Sequence, residues 1–314
     1  MLFGDHAVVH GQPCIVTAVN QRLSVSLHKI DSLVFRLSAP DLGLQKYERE
    51  LSELGHGPLP KAVNFIETCY RIFAEKYQVT KVGIEVTTKS DFSSLFGFGS
   101  SSAATVAFAK SLTHLFEMNL SEKELFSLCY ETVLAVQGVG SGFDIAAAIW
   151  GETLYYTKNA SIVEPLRISE LPLIIGYTGY KADTATIVRQ VGAQYQEHPE
   201  RIGAIFHRMG EITYSAKEEI ILGNWETVGK LMNESQALLH ELQVSSDILD
   251  TLVESSLRAG AYGAKLSGAG VGDCMIALAP LENTVSVQSA ITQSHGTVID
   301  IEVNAPGVRL EKNV

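Results

Sequence analysis

The stretch Gly97-Phe98-Gly99-Ser100-Ser101-Ser102-Ala103 sets two glycines and three serines directly before an apolar, alanine-rich run. A strand, a glycine turn and a helix start turn backbone N–H groups toward an anion. The first helical turn has four N–H groups without internal partners, and the helix dipole favours negative charge there. Gly97 and Gly99 let the main chain approach a phosphate closely. Ser100, Ser101 and Ser102 add hydroxyls able to bond phosphate oxygens or ligate Mg2+. An ordinary capped helix after a flexible loop would use the same residues. The pattern is neither the P-loop, G-x-x-x-x-G-K-[ST], nor the dinucleotide fingerprint, which needs a third glycine.

Three further segments carry groups able to act on a substrate. In Gln137–Ala148, QGVGSGFDIAAA, Asp144 follows a glycine-rich turn and opens an apolar helix. It reads either as an N-cap or as a carboxylate able to orient and deprotonate a hydroxyl. In Leu2–Gly11, LFGDHAVVHG, His6 and His10 stand four apart, but Gly4 and Gly11 break the helix a zinc pair would need. Asp5 and His6 are better read as polar groups at a strand end. Gly263–Leu278, GAKLSGAGVGDCMIAL, is a glycine loop between two strands, with Ser267, Gly268, Ala269 and Gly270 able to approach a ligand. Tyr177–Thr186 places Thr178, Lys181 and Thr184 at a strand end that opens a helix.

These groups need a scaffold, and the 314-residue chain, 46% hydrophobic, is ample for one with two domains. The net charge of −11 argues against nucleic acid and anionic membrane surfaces as partners. It leaves room for an anionic small substrate in a locally N–H-rich pocket. No apolar run reaches the roughly 18 residues of a membrane span, and the N-terminus lacks the pattern of a secretory signal. Cys14, Cys69, Cys129 and Cys274 are scattered without CxxC spacing, as in a cytoplasmic protein with reduced thiols. Strands are expected over residues 14–37, at 82–86 and at 153–157. Helices are expected over 60–77, from about 102 to 116, from the Ser121-x-x-Glu124 capping box to Gln137, and after Gly142. Beyond Pro165 and Pro172 come a strand at 173–177, helices between 183 and 259, strands at 262–266 and 274–278, and a last helix–strand pair. The mixture is α+β, with domains at 1–165 and 166–314.

Taken together and in order, the four segments resemble those of the GHMP kinase superfamily, over essentially the whole chain. LFGDHAVVHG is similar to the first motif of its mevalonate kinases, LFGEHAVVYG; GFGSSSAA to the phosphate loop, GLGSSAA; GAKLSGAGVGD to the third motif. MNESQALLHELQVSS, residues 232–246, is similar to a mevalonate kinase helix, MN-x-x-x-x-LL-x-x-LGVS. The resemblance implies an N-terminal domain like ribosomal protein S5 and a ferredoxin-like C-terminal domain, with ATP and substrate in the cleft between. It implies ATP- and Mg2+-dependent phosphorylation of the C5 hydroxyl of mevalonate, a small-molecule substrate of isoprenoid synthesis. By residue, it implies that Gly97, Phe98, Gly99, Ser100, Ser101, Ser102 and Ala103 bind ATP. Asp144 would be the catalytic aspartate, with Ser101 and Glu131 as Mg2+ ligands. Asp5, His6, Thr178, Thr184, Gly268, Ala269 and Gly270 would bind the acceptor. A homodimer stays open.

Three departures accompany the resemblance. The family carries Pro-Gly-Lys just before its first motif, and that lysine supports catalysis. This chain starts Met1-Leu2-Phe3, so weak activity or none is expected of it as written, and a version extended by an upstream strand is expected to be the more active. A glutamate eleven residues before the aspartate helps hold Mg2+ in mevalonate kinases; here that place is Val133, and Glu131, the nearest carboxylate, is about 200° round a helix. GSGFDIAAAIWG and GVGDC look more like phosphomevalonate kinase. The alternatives are thus that enzyme, another small-alcohol kinase of this fold, or a catalytically impaired nucleotide-binding relative.

Overall fold

The structure, a computed structural model, describes residues 1–80, 82–92 and 96–311, the side chains at 61 and 62 excepted. The chain forms two compact units, each assembled from three stretches: Met1–Asn20, Ser94–Phe98 and Glu152–Ala305 in one, Gln21–Ser93, Gly99–Gly151 and Pro306–Val314 in the other.

The second of these units is a sheet backed by helices. Strands β2 (Leu23–Ile30), β3 (Val34–Ala39), β4 (Leu44–Glu50) and β5 (Gly83–Ser90) lie in the order β2-β5-β3-β4, with β3 and β5 parallel and the other pairs antiparallel. Helix α1 (Lys61–Lys76) presents Val63, Ile66, Tyr70 and Phe73 as one fully buried stripe, the face its 3.6-residue period dictates. Helix α3 (Glu122–Gln137) opens on the expected capping box, with both the Ser121 and the Glu124 halves made. Helix α2 spans Ser100–Leu115 and packs on β2, α1 and α3; α4 spans Phe143–Trp150 and packs on α2 and α3. The helix expected from about 102 thus begins two residues earlier. Gly99 takes the left-handed conformation (φ 71°) and turns the chain directly into the helix at Ser100.

The first unit has two sheets. Strands β1 (Cys14–Thr17), β6 (Thr153–Tyr156) and β7 (Val163–Pro165) form a three-stranded antiparallel sheet. Strands β8 (Leu173–Tyr177), β9 (Gly263–Ser267), β10 (Cys274–Leu278) and β11 (Thr297–Ile299) form a four-stranded antiparallel sheet in the order β11-β8-β10-β9. Every residue of β10 is buried, which is why its sequence, CMIAL, is apolar throughout rather than alternating. Helices α5 (Thr184–Glu197), α6 (Pro199–Leu222), α7 (Trp225–Glu241), α8 (Asp247–Arg258) and α9 (Thr284–Gln293) complete the unit. Among the described residues no helix is long and apolar enough to cross a membrane.

Candidate active site

The start of α2 is built to hold an anion. Its N-cap is a glycine, no side chain caps it, and the first intrahelical bond of this end runs from Ala103 N–H to the Gly99 carbonyl. The N–H groups of Ser100, Ser101 and Ser102 are left pointing out of the helix end, where the dipole is positive. In the same unit, Asp144 lies in the first turn of α4. Its carboxylate is held from both sides, by an N–H of its own helix start and by a hydroxyl of α2. Oδ1 accepts the N–H of Ile145 at 3.0 Å, and Oδ2 accepts the hydroxyl of Ser102 at 2.5 Å. A β-carbon at Gly99 would lie 3.4 Å from that of Asp144, an ordinary van der Waals contact, so glycine is needed here for the left-handed turn rather than to make room for the aspartate. Burial raises the Asp144 carboxyl above the ordinary aspartate value, and hydrogen bonds from Ser102, Ile145 N–H and its own N–H pull it back.

Gly97 and Phe98 belong to the other unit, where Phe98 and Phe96 pack against the core formed by Leu2, Phe3, Ile175 and Tyr177. A β-carbon on Gly97 would stand 3.1 Å from Cγ of Asp273. That aspartate is buried, and its Oδ1 accepts the N–H of Ala182 at 3.2 Å. Its carboxyl is raised by burial, with the Ala182 bond opposing.

In this first unit, Asp5, His6 and the loop after β9 form one network. Asp5 is fully buried; Oδ2 pairs with Lys265 Nζ at 2.6 Å, and Oδ1 accepts the N–H of Gly268 at 2.8 Å. His6 donates from Nε2 to the Ala269 carbonyl at 2.9 Å, which fixes the neutral tautomer and leaves Nδ1 an acceptor. Burial lowers its pKa below the ordinary 6.5. Gly270 (φ 87°) has no alternative, since a β-carbon would lie 2.0 Å from the Val244 carbonyl oxygen. Thr178, at the end of β8, donates its hydroxyl to the carbonyls of Tyr180 and Asp273, so its side chain braces this loop. Thr184 is exposed at the first position of α5, capped by Asp183.

The structure brings Ser102 to Asp144, and Asp5 and His6 to Gly268 and Ala269. It does not bring Glu131 to the phosphate loop: that carboxylate is paired with Lys76 at 3.0 Å, exposed on α3. Val133 is buried, 3.5 Å from where Gly140 would carry a β-carbon, so this position does face the turn ahead of Asp144. His10 does not join His6 in a metal pair but stacks on Phe206, with Tyr195 at its edge. Two residues of the network escaped sequence reasoning. Lys265 is the lone charge in an apolar strand, and a buried lysine requires a counter-ion. Asp273 adopts φ 56°, a conformation no local pattern announces.

The comparisons with known proteins agree with these local features. The model of the GHMP kinases N terminal domain matches residues 64–152, and that of the GHMP kinases C terminal matches residues 216–297. Mevalonate kinase of Pyrococcus furiosus is 34% identical over 324 residues, covering 99% of this chain and 96% of its own. The crystal structure of L. major mevalonate kinase in complex with R-mevalonate has a TM-score of 0.76 at 23% identity, covering 98% of this chain and 94% of that one. Streptococcus pneumoniae phosphomevalonate kinase in complex with phosphomevalonate and AMPPNP has 0.79 at 18%, covering 96% of each. At such identities the solved structures speak for the fold alone. The family models and a relative aligned nearly end to end establish that this chain belongs to the GHMP kinases.

Proposed function

We propose that the chain transfers the terminal phosphoryl group of ATP to the C5 hydroxyl of mevalonate, in the cytoplasm. The observation that carries this is the 34% identity to a mevalonate kinase over 96% of that enzyme's length. Phosphoryl transfer asks little covalent chemistry of a protein; positioning and charge stabilisation supply most of the acceleration. The free N–H groups of Ser100, Ser101 and Ser102, with Gly97, Phe98, Gly99 and Ala103 around them, receive the phosphate oxygens. Asp144 takes the proton of the acceptor hydroxyl as its oxygen bonds to the γ-phosphorus and the bond from that phosphorus to the bridging oxygen of ADP breaks. Such general-base help is typically worth on the order of 10²–10⁴-fold.

Mg2+ takes oxygen ligands and keeps much of its shell on phosphate and water. The start of α2 fits that demand: the half-buried Ser101 hydroxyl is a hard donor with no partner among the described residues, beside N–H groups placed for phosphate. Ser101 would hold the ion, and the ion would neutralise charge building on the phosphates. Glu131 pairs with Lys76 at 3.0 Å on the surface of α3, and we leave it out of this set. On the acceptor side we assign Asp5, His6, Gly268, Ala269 and Gly270 as the binding framework, with Thr178 bracing it and Thr184 at its edge.

A coupled assay of ADP release tests the reading, with mevalonate and then phosphomevalonate as acceptor. Turnover with mevalonate alone supports it. Turnover with phosphomevalonate alone replaces the substrate, and nucleotide binding without turnover replaces the enzyme by a binding protein.

A further inference from the structure

We infer that Ser102 is a positioning residue, whose hydroxyl fixes the orientation of the Asp144 carboxylate. The inference rests on the proposed role of Asp144 as the base. Ser102 is the third residue of α2 and is buried, so its hydroxyl must find a partner within the protein. The neighbouring buried hydroxyl, that of Thr105, takes the usual course and donates to the carbonyl four residues back, Ser101 O, at 2.8 Å. Ser102 instead donates across to α4, to Oδ2 of Asp144 at 2.5 Å.

The other carboxylate oxygen is held by Ile145 N–H at 3.0 Å. Two donors from two helices, one on each oxygen, remove the free rotation of the carboxylate about its last torsion. A serine hydroxyl has one proton to give. While Ser102 gives it to Asp144, its side chain cannot also donate to a phosphate, and only its backbone N–H serves the anion. Ser102 closes the run Ser100-Ser101-Ser102, and of these three its hydroxyl is the one spent on Asp144. Base and orienting group within hydrogen-bond reach is the arrangement by which a base is kept aligned with its substrate.

The test uses the full chain as Ser102→Ala, Ser102→Thr, Asp144→Asn and the double variant Ser102→Ala/Asp144→Asn, assayed with whichever acceptor the wild type turns over. We expect Ser102→Ala to lower kcat roughly tenfold or more, the scale of one hydrogen bond to a charged group, with the KM for ATP unchanged. Ser102→Thr, which keeps the hydroxyl, should recover most of the loss. In the Asp144→Asn background the alanine should cost nothing further, because Ser102 acts through the carboxylate. An unchanged kcat for Ser102→Ala overturns the inference. So does a rise in the KM for ATP at constant kcat, which would make the hydroxyl a phosphate donor, and so does a full, additive loss in the double variant. If Ser102→Ala does not fold, Ser102→Cys, near in size and a weak donor, is read by the same criteria. Wild-type turnover by Asp144→Asn removes the base itself and so overturns the reading beneath the inference.

Discussion

At the residue scale, the proposed base carries a cost in stability that can be measured. Burial holds the Asp144 carboxyl above the ordinary value of 3.8, so over the interval between the two values the folded chain keeps a proton that the unfolded chain has lost. Stability therefore falls as pH rises through that interval and stays lower above it. Asp144→Asn removes this term. It should lose on the order of 10²–10⁴-fold in kcat and melt at a higher temperature than the wild type at neutral pH. The gap in Tm should shrink as pH is lowered, and a lower Tm for Asp144→Asn at neutral pH would refute the account. His6 works in the opposite sense. Its pKa is lowered by burial, so below 6.5 the unfolded chain takes up a proton that the folded chain refuses, and stability drops with falling pH. His6 sits at φ 58° and ψ −47°, outside the left-handed helical region, so Asn serves as an uncharged polar replacement rather than as one that relieves the backbone. Thermal unfolding of His6→Asn should show a smaller loss below pH 6.5 than the wild type, the remainder coming from His10, whose pKa burial also lowers.

Two glycines separate function from mere shape at the element scale. Gly99 and Gly138 both adopt left-handed φ, 71° and 74°, at a helix end. Alanine at either position costs roughly 1–2 kcal/mol of backbone strain. The added carbon meets nothing within 4 Å at Gly138 and makes only ordinary contact with Asp144, at 3.4 Å, at Gly99; what separates the two is that Gly99 turns the chain into the end of α2 proposed to hold phosphate. Gly99→Ala should therefore lower kcat and raise the KM for ATP, while Gly138→Ala should match its loss of stability with normal kinetics. Equal kinetic defects in both would mean that Gly99 serves only the turn. Elements of this kind were the legible part of the sequence. The capping box of α3, the α1 stripe and the glycine–serine helix start each announce themselves within one segment, by period or by cap. The partner of an element does not. Nothing near Ser102 says that its hydroxyl crosses to α4 rather than to a phosphate, and nothing near Glu131 says that Lys76 claims it. Both follow from how α1, α2, α3 and α4 pack, and residue spacing along one helix carries no record of that.

At the scale of the whole molecule, each compact unit draws on distant parts of the chain, and the first unit is tied together most tightly by Asp5 and Lys265. The two residues are 260 apart in sequence, and both side chains are fully buried. One carboxylate oxygen also anchors the N–H of Gly268, at the loop assigned to the acceptor, and Lys265 Nζ donates a second bond to the Leu266 carbonyl. A buried pair recovers its desolvation cost only while both charges and their hydrogen bonds are present, so losing one partner strands the other. Lys265→Met alone should cost about 3–5 kcal/mol. Asp5→Asn/Lys265→Met leaves no buried charge, and its amide oxygen can still accept from Gly268, so it should regain a large part of that loss. Denaturant unfolding of the single and double variants measures the coupling directly. Two single losses that simply add would show that Asp5 and Lys265 stabilise the unit independently, and the join between the chain's first residues and the loop after β9 would have to rest on its other bonds, Met1 with Ser267 and His6 with Ala269.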